Sequence, residues 1–160
     1  MLTGDEVNRV WQRMYAAEVR SLYFGDLAST YTTRKQLITG ISFFLSSGAA
    51  VTVAAHMPTW IPLLTAALSA AATAYSIAVG LDRKAAAMSK LQYQWSQIAP
   101  DLERLWNHWY QDDAESQLHD ILKRSREASQ LGSTDAPYDE RRMDKWQGRV
   151  SLLHGATSTT

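Results

Sequence analysis

Hydrophobic and polar positions along this 160-residue chain fall into three regimes. Between residues 5 and 35, apolar or small side chains recur at alternating spacings of three and four: Val7, Val10, Met14, Ala17, Ser21, Phe24, Ala28 and Tyr31. That spacing keeps one face of a helix turned towards a partner, the seam of a helical bundle. From Gln36 to Leu81 the periodicity gives way to 46 residues without Asp, Glu, Lys or Arg, in a chain that is 20% charged. The three-and-four spacing then resumes at Met88, Leu91, Trp95, Ile98, Leu102, Leu105 and Trp109. Pro100 is expected to kink or divide that helix, because it removes a backbone donor. Asp112 with Glu115 forms a capping-box pattern that opens another helix to about Gln130. LGSTDAP (131–137) reads as a linker, Tyr138–Leu153 as a short last helix, and residues 154–160 as a disordered tail. No strand pattern, internal repeat or second domain is legible.

The uncharged regime divides into two segments of about 20 residues, 36–55 and 60–81, joined by HMPTWIP (56–62). At about 1.5 Å per residue each spans roughly 30 Å, the thickness of a bilayer's hydrocarbon core. Pro58 favours a turn, Pro62 is tolerated in a first helical turn, and Trp60 suits a membrane interface. A helix apolar all round must be enclosed on every side. The remainder of the chain is too small to enclose two, so a buried hairpin in a soluble bundle is the weaker reading. Arg34 and Lys35 precede the first segment, Arg83 and Lys84 follow the second, and the joining loop has neither residue type. The positive-inside rule therefore puts both termini in the cytoplasm. The expected fold is an all-α membrane protein, a two-transmembrane helical hairpin extended into a cytoplasmic helical bundle and assembled as an oligomer. Its organisation is an amphipathic helix at 1–35, the hairpin at 36–81, the bundle at 82–153 and the tail.

Composition adds little beyond this. Sixteen basic and sixteen acidic residues cancel. Cysteine is absent, which fits a reducing compartment and removes disulfides, thiolate metal sites and a Cys nucleophile. The first 35 residues are charged and amphipathic, unlike a cleavable signal peptide. His56, His108, His119 and His154 show no metal-ligand spacing, and there is no P-loop, GxGxxG or GxSxG. Neither an enzyme nor a metal site is expected.

Two features carry candidate chemistry. Thr65, Ser69, Thr73 and Ser76 put four hydroxyls on one face of the second segment, with Gly80 beyond them. Such a stripe either lets helices pack closely or lines a polar path between assembled subunits. Ser42 and Ser46, with Gly40 and Gly48, repeat it more weakly on the first segment. Basic residues gather at Lys123, Arg124 and Arg126, and again at Arg141, Arg142, Lys145 and Arg149 beside Trp146. Guanidinium forks beside an aromatic suit a phosphate-bearing ligand with a base. The interleaved Asp139, Glu140 and Asp144 equally suit a solvated helix face.

With this order of elements the chain resembles the SLATT family, small two-transmembrane effectors of prokaryotic conflict systems, over nearly its whole length. The resemblance rests on the N-terminal helix VWQRMYAAEVRSLYFGDLASTYTTRKQL, the tight hairpin, and the helix DRKAAAMSKLQYQWSQIAPDLERLW. It implies a channel-forming effector of the bacterial inner membrane that acts in anti-phage defence. A nucleotide second messenger from a partner nucleotidyltransferase would gate it, and opening would depolarise the membrane and arrest or kill the cell. It implies no cofactor beyond that cyclic or oligonucleotide signal, and a homo-oligomer, a tetramer being the leading expectation. Two rivals are a holin-like pore and a non-conducting scaffold that recruits a soluble partner.

Overall fold

The computed structural model describes residues 2–54, 58 and 60–157, with side-chain surroundings for 2–48, 58 and 60–155. His56, Met57 and Thr59 of the expected bend lie outside the described residues, as do Ser158–Thr160 of the expected tail. Five helices follow in order: α1 (Gly4–Ala54), α2 (Trp60–Val79), α3 (Leu81–Asn107), α4 (Ala114–Asp135) and α5 (Glu140–Thr157). The described residues contain no strand. The chain divides into two compact units, residues 1–28 with 86–160, and residues 29–85.

The first unit is a helical bundle. Its α1 opens on a reciprocal cap: Thr3 N–H and Thr3 Oγ1 both donate to Glu6 Oε2 at 2.8 Å, while Glu6 N–H donates to Thr3 Oγ1 at 3.4 Å. These contacts, the backbone one first, hold the Glu6 carboxyl below its ordinary pKa. Further along, Val10, Met14, Ala17, Phe24 and Ala28 of the expected seam are buried. From α3, Met88, Leu91, Trp95, Ile98, Leu102 and Leu105 are each no more than 2% exposed. The periodic seams are thus consumed inside one chain. Leu2 N–H donates to the Trp109 carbonyl at one end, and Arg20 lies over Trp95 further along, so α1 and α3 run antiparallel. In turn α4 folds back on α3, with Arg124 against Asp101 at one level and Gly132 against Leu91 at another. Its buried positions, Ala114, Ile121 and Ala128, recur every seven residues.

Several boundaries differ from the sequence reading, each for a local reason. Pro100 is exposed and α3 runs through it unbroken. It removes only the one backbone bond that the Ser96 carbonyl would otherwise accept. Asp113, rather than Asp112, is the N-cap of α4, and its carboxylate accepts from Gln117 Nε2 at 2.6 Å instead of capping backbone. The expected 131–137 linker is helical as far as Asp135. Gly132 is there for packing: a Cβ would lie 3.3 Å from Phe24 Cζ. The connection to α5 is only residues 136–139. Asp139 then caps α5 by accepting from Arg142 N–H at 3.1 Å. The helix continues through Thr157, past the Leu153 end and into the tail segment.

The second unit has the opposite character. The distal part of α1 and α2 meet through Ser46 and Ser69, whose hydroxyls lie 2.8 Å apart, and through Ser69 Oγ donating to the Ser42 carbonyl at 3.2 Å. Lys35 pairs with Asp82 at the other end of the same antiparallel contact. Ser69 is the one buried residue of α2. Large apolar side chains point away from that contact instead: Leu37, Ile41, Phe43 and Phe44 on α1, and Trp60, Leu63, Leu64, Leu68, Tyr75 and Ile77 on α2. Among the described residues, the helical run that begins with α2 is the one long and apolar enough to cross a membrane. Gly80, at φ 62°, stops α2 and separates it from α3. Its N–H bonds the Ile77 carbonyl at 3.0 Å, the role of a glycine just past a helix end.

Candidate functional site

The hydroxyl stripe of α2 is spent on packing and on its own helix. Ser69 lies in the contact with α1 described above. Thr65 Oγ1 donates to the Pro62 and Ile61 carbonyls at 2.9 and 3.2 Å, and Thr73 Oγ1 to the Ser69 carbonyl at 3.0 Å. Back-bonding of this kind lets a hydroxyl sit in an apolar medium without an unpaired donor. Ser76 is half-buried on the same helix, and Ser42 Oγ is buried without a partner among the described residues.

The basic residues are distributed rather than gathered. On α4, Lys123 and Arg126 are exposed, while Arg124 pairs with Asp101 at 2.9 Å. Arg124 also lines two adjoining cavities along the α3–α4 groove. One, about 280 Å³, adds Tyr93, Gln94, Gln97, Ile98 and Glu127. The other, about 170 Å³, adds Asp101, Arg104, Gln117, Asp120 and Ile121. Carboxylates therefore accompany the cations throughout this groove. The first cavity carries amides and an exposed tyrosine ring, groups able to hold a planar base, and the acceptor Gln94 Oε1 is buried without a partner among the described residues.

On α5 one member of the expected cluster, Arg142, is engaged in docking. Arg142 contacts Asp26 of α1 at 3.5 Å and Asp139 at 3.1 Å. Lys145 Nζ and Arg149 Cζ lie 4.9 and 5.4 Å from the Trp146 ring centroid, so that ring already carries two cations of its own helix. Arg141 remains exposed. Beyond Arg142, α5 is held to α1 by further polar contacts. Tyr15 Oη donates to the Gln147 carbonyl at 2.7 Å. Tyr23 Oη donates to the Pro137 carbonyl at 2.7 Å and accepts from Asp139 N–H at 3.0 Å. His154 Nε2 meets Glu18 Oε2 at 2.8 Å, with the imidazole against the Trp11 and Tyr15 rings. The Glu18–His154 pair borders a cavity of about 420 Å³ that also reaches Ser21, Pro100 and Glu103. Two carboxylates make that space unsuited to an anion.

One cation was invisible in the sequence. Arg20, mid-helix in α1, is half-buried, with its guanidinium 4.6 Å above the Trp95 ring and a single long hydrogen bond to Ser129 Oγ at 3.5 Å. Burial lowers its pKa below the ordinary guanidinium value. An isolated Arg within a helix gives no sequence signal, since its meaning depends on the helices that close around it. Comparison of the chain with protein-family models, with curated proteins and with solved structures finds no match in any of the three.

Proposed function

We propose that the chain is a homo-oligomeric membrane effector of the SLATT type, a channel of the bacterial inner membrane gated by a nucleotide signal. The observation that carries this reading is the inverted character of residues 29–85: a polar serine contact inside and apolar side chains outside. Ten large apolar residues of that unit are 48–77% exposed. At about 1.5–3 kcal/mol for complete burial of each, leaving them half-hydrated costs on the order of 10 kcal/mol. That equals the whole stability of an ordinary domain, about 5–15 kcal/mol. A lipid phase around α2 and the distal part of α1 removes the penalty.

In this reading both segments cross the bilayer and both termini stay cytoplasmic. The resting state keeps the Ser46–Ser69 contact within each hairpin. Opening exchanges it, so that Thr65, Ser69, Thr73 and Ser76 of neighbouring copies line a shared polar path. The nucleotide binds the basic surfaces of α4 and α5 (Lys123, Arg124, Arg126, Arg141, Arg142, Lys145, Trp146 and Arg149) and shifts the assembly by binding its two states unequally. No catalytic step belongs to the chain. Because Arg142 also docks α5 on α1, a phosphate competing for it would alter that docking.

The test is ion flux through liposomes that hold the purified protein, with and without cyclic nucleotides and oligonucleotides. Nucleotide-dependent flux of either sign is the expected result. Absence of flux under every condition, from protein shown to be inserted and folded, overturns the channel and leaves a membrane-anchored scaffold.

A further inference from the structure

Arg20 borders a cavity of about 150 Å³ to which four helices contribute: Arg20 and Phe24 from α1, Trp95 from α3, Ser129 and Gly132 from α4, and Met143 from α5. Among its lining residues none is acidic. Stacking on Trp95 occupies the face of the guanidinium and leaves its edge, where the N–H donors lie. The bond to Ser129 is long, and among the described residues Arg20 has no carboxylate partner. Arg20 is half-buried, and the hydration a guanidinium loses on partial burial is ordinarily offset by a partner. Trp95, only 2% exposed, lines the same cavity, and its indole N–H has no acceptor among the described residues. Gly132 contributes no side chain, which keeps the space open.

We propose that this cavity seats a phosphate-class oxyanion, held by the Arg20 fork and the Ser129 hydroxyl. The volume exceeds a chloride ion and accommodates a tetrahedral group with the first atoms of its ester, for which Phe24 and Met143 supply an apolar wall. An anion here is lined by all four helices of the bundle and completes a charge that has no carboxylate partner among the described residues. The inference does not depend on conduction, since it concerns residues 1–28 and 86–160 alone. The phosphate arises either from a free nucleotide or from a lipid headgroup, and both present the same oxygens to Arg20.

The experiment is calorimetric titration of the full chain in neutral detergent with inorganic phosphate and with adenosine monophosphate, at constant ionic strength against chloride. A parallel arm measures binding to vesicles with and without phosphatidic acid. Arg20→Gln is compared with wild type and with Arg13→Gln, a change at an exposed position of α1. A charge-assisted bidentate contact predicts at least a roughly tenfold loss of phosphate binding in Arg20→Gln, a smaller loss in Arg20→Lys, and none in Arg13→Gln. Binding of the soluble phosphates identifies a free ligand, whereas an Arg20-dependent preference for phosphatidic acid vesicles alone identifies a lipid. The seat is overturned if folded wild type binds no phosphate in any arm. It is equally overturned if Arg20→Gln, with an unchanged helical spectrum, binds as wild type does, or if chloride competes equally.

Discussion

Replacing Tyr23 with Phe removes one oxygen from the join between α4 and α5. That hydroxyl donates to the Pro137 carbonyl at 2.7 Å and accepts from Asp139 N–H at 3.0 Å. Asp139 is itself the N-cap of α5, through Arg142 N–H. A neutral hydrogen bond contributes about 0.5–1.5 kcal/mol net, so two set a range of about 1–3 kcal/mol. Pro137 is exposed and Asp139 half-exposed, so water reaches both freed groups and the lower half of that range applies. The Tyr23 ring is buried at 2% exposure and remains in place as Phe, which adds no cavity term. The expected loss is about 1–2 kcal/mol, equivalent to a five- to thirtyfold larger open population. Because Val150 is the one described residue of α5 that is buried, the loss should appear as local release of residues 140–157. Hydrogen exchange resolved by segment measures this directly. Faster exchange in α5, with α3 unchanged, is the expected pattern. Uniform acceleration across α3 and α5, or none in either, refutes the idea that this hydroxyl holds α5 to α1.

Gly80→Ala places a Cβ in open space but at φ 62°, so its effect is backbone strain alone, about 1–2 kcal/mol lost in denaturant titration, with Gly80→Asn losing less. Ser69→Ala removes the hydroxyl shared with Ser46 and Ser42; at about 0.6–1.7 kcal/mol for an interhelical bond in lipid, it should weaken the α1–α2 contact and raise resting flux in the liposome assay. Glu6 has a depressed folded pKa, so the stability it contributes is present above its unfolded pKa and is lost as pH falls through the folded one. A carboxyl NMR titration should place Glu6 below the ordinary glutamate value in wild type. In Thr3→Val, which keeps the backbone donor and loses the hydroxyl, it should return partway.

The parts of the fold legible in the sequence are those set by periodicity. The run from Met88 to Leu105 reads as one buried face because each member meets the same neighbouring helices. Trp109 continues the spacing but stands exposed, because α3 has ended at Asn107. Composition misled where a residue type has two uses. Gly132 and its Ser, Thr and Asp neighbours look like a turn, yet the glycine admits the Phe24 ring to a helix. Gly80 looks like a packing residue, yet it ends one. The cap that forms is the T-x-x-E pattern of Thr3 and Glu6, whereas the Asp112–Glu115 pattern does not form one. Candidate anion contacts fared differently for the same reason. Clustered charges such as Arg142 and Arg124 are visible in sequence, but their partners, Asp26 and Asp101, are supplied by other helices. Arg20 is alone in sequence and acquires its setting only from Trp95 and Ser129.

Placement of residues 29–85 in lipid is tested most directly by cysteine accessibility, for which a chain without native cysteine is suited. In inside-out membrane vesicles, Gln12→Cys should react promptly with a membrane-impermeant maleimide. Phe44→Cys and Leu68→Cys should stay unmodified until detergent is added. Labelling of Phe44→Cys and Leu68→Cys as fast as Gln12→Cys would contradict the membrane hairpin and, with it, the channel.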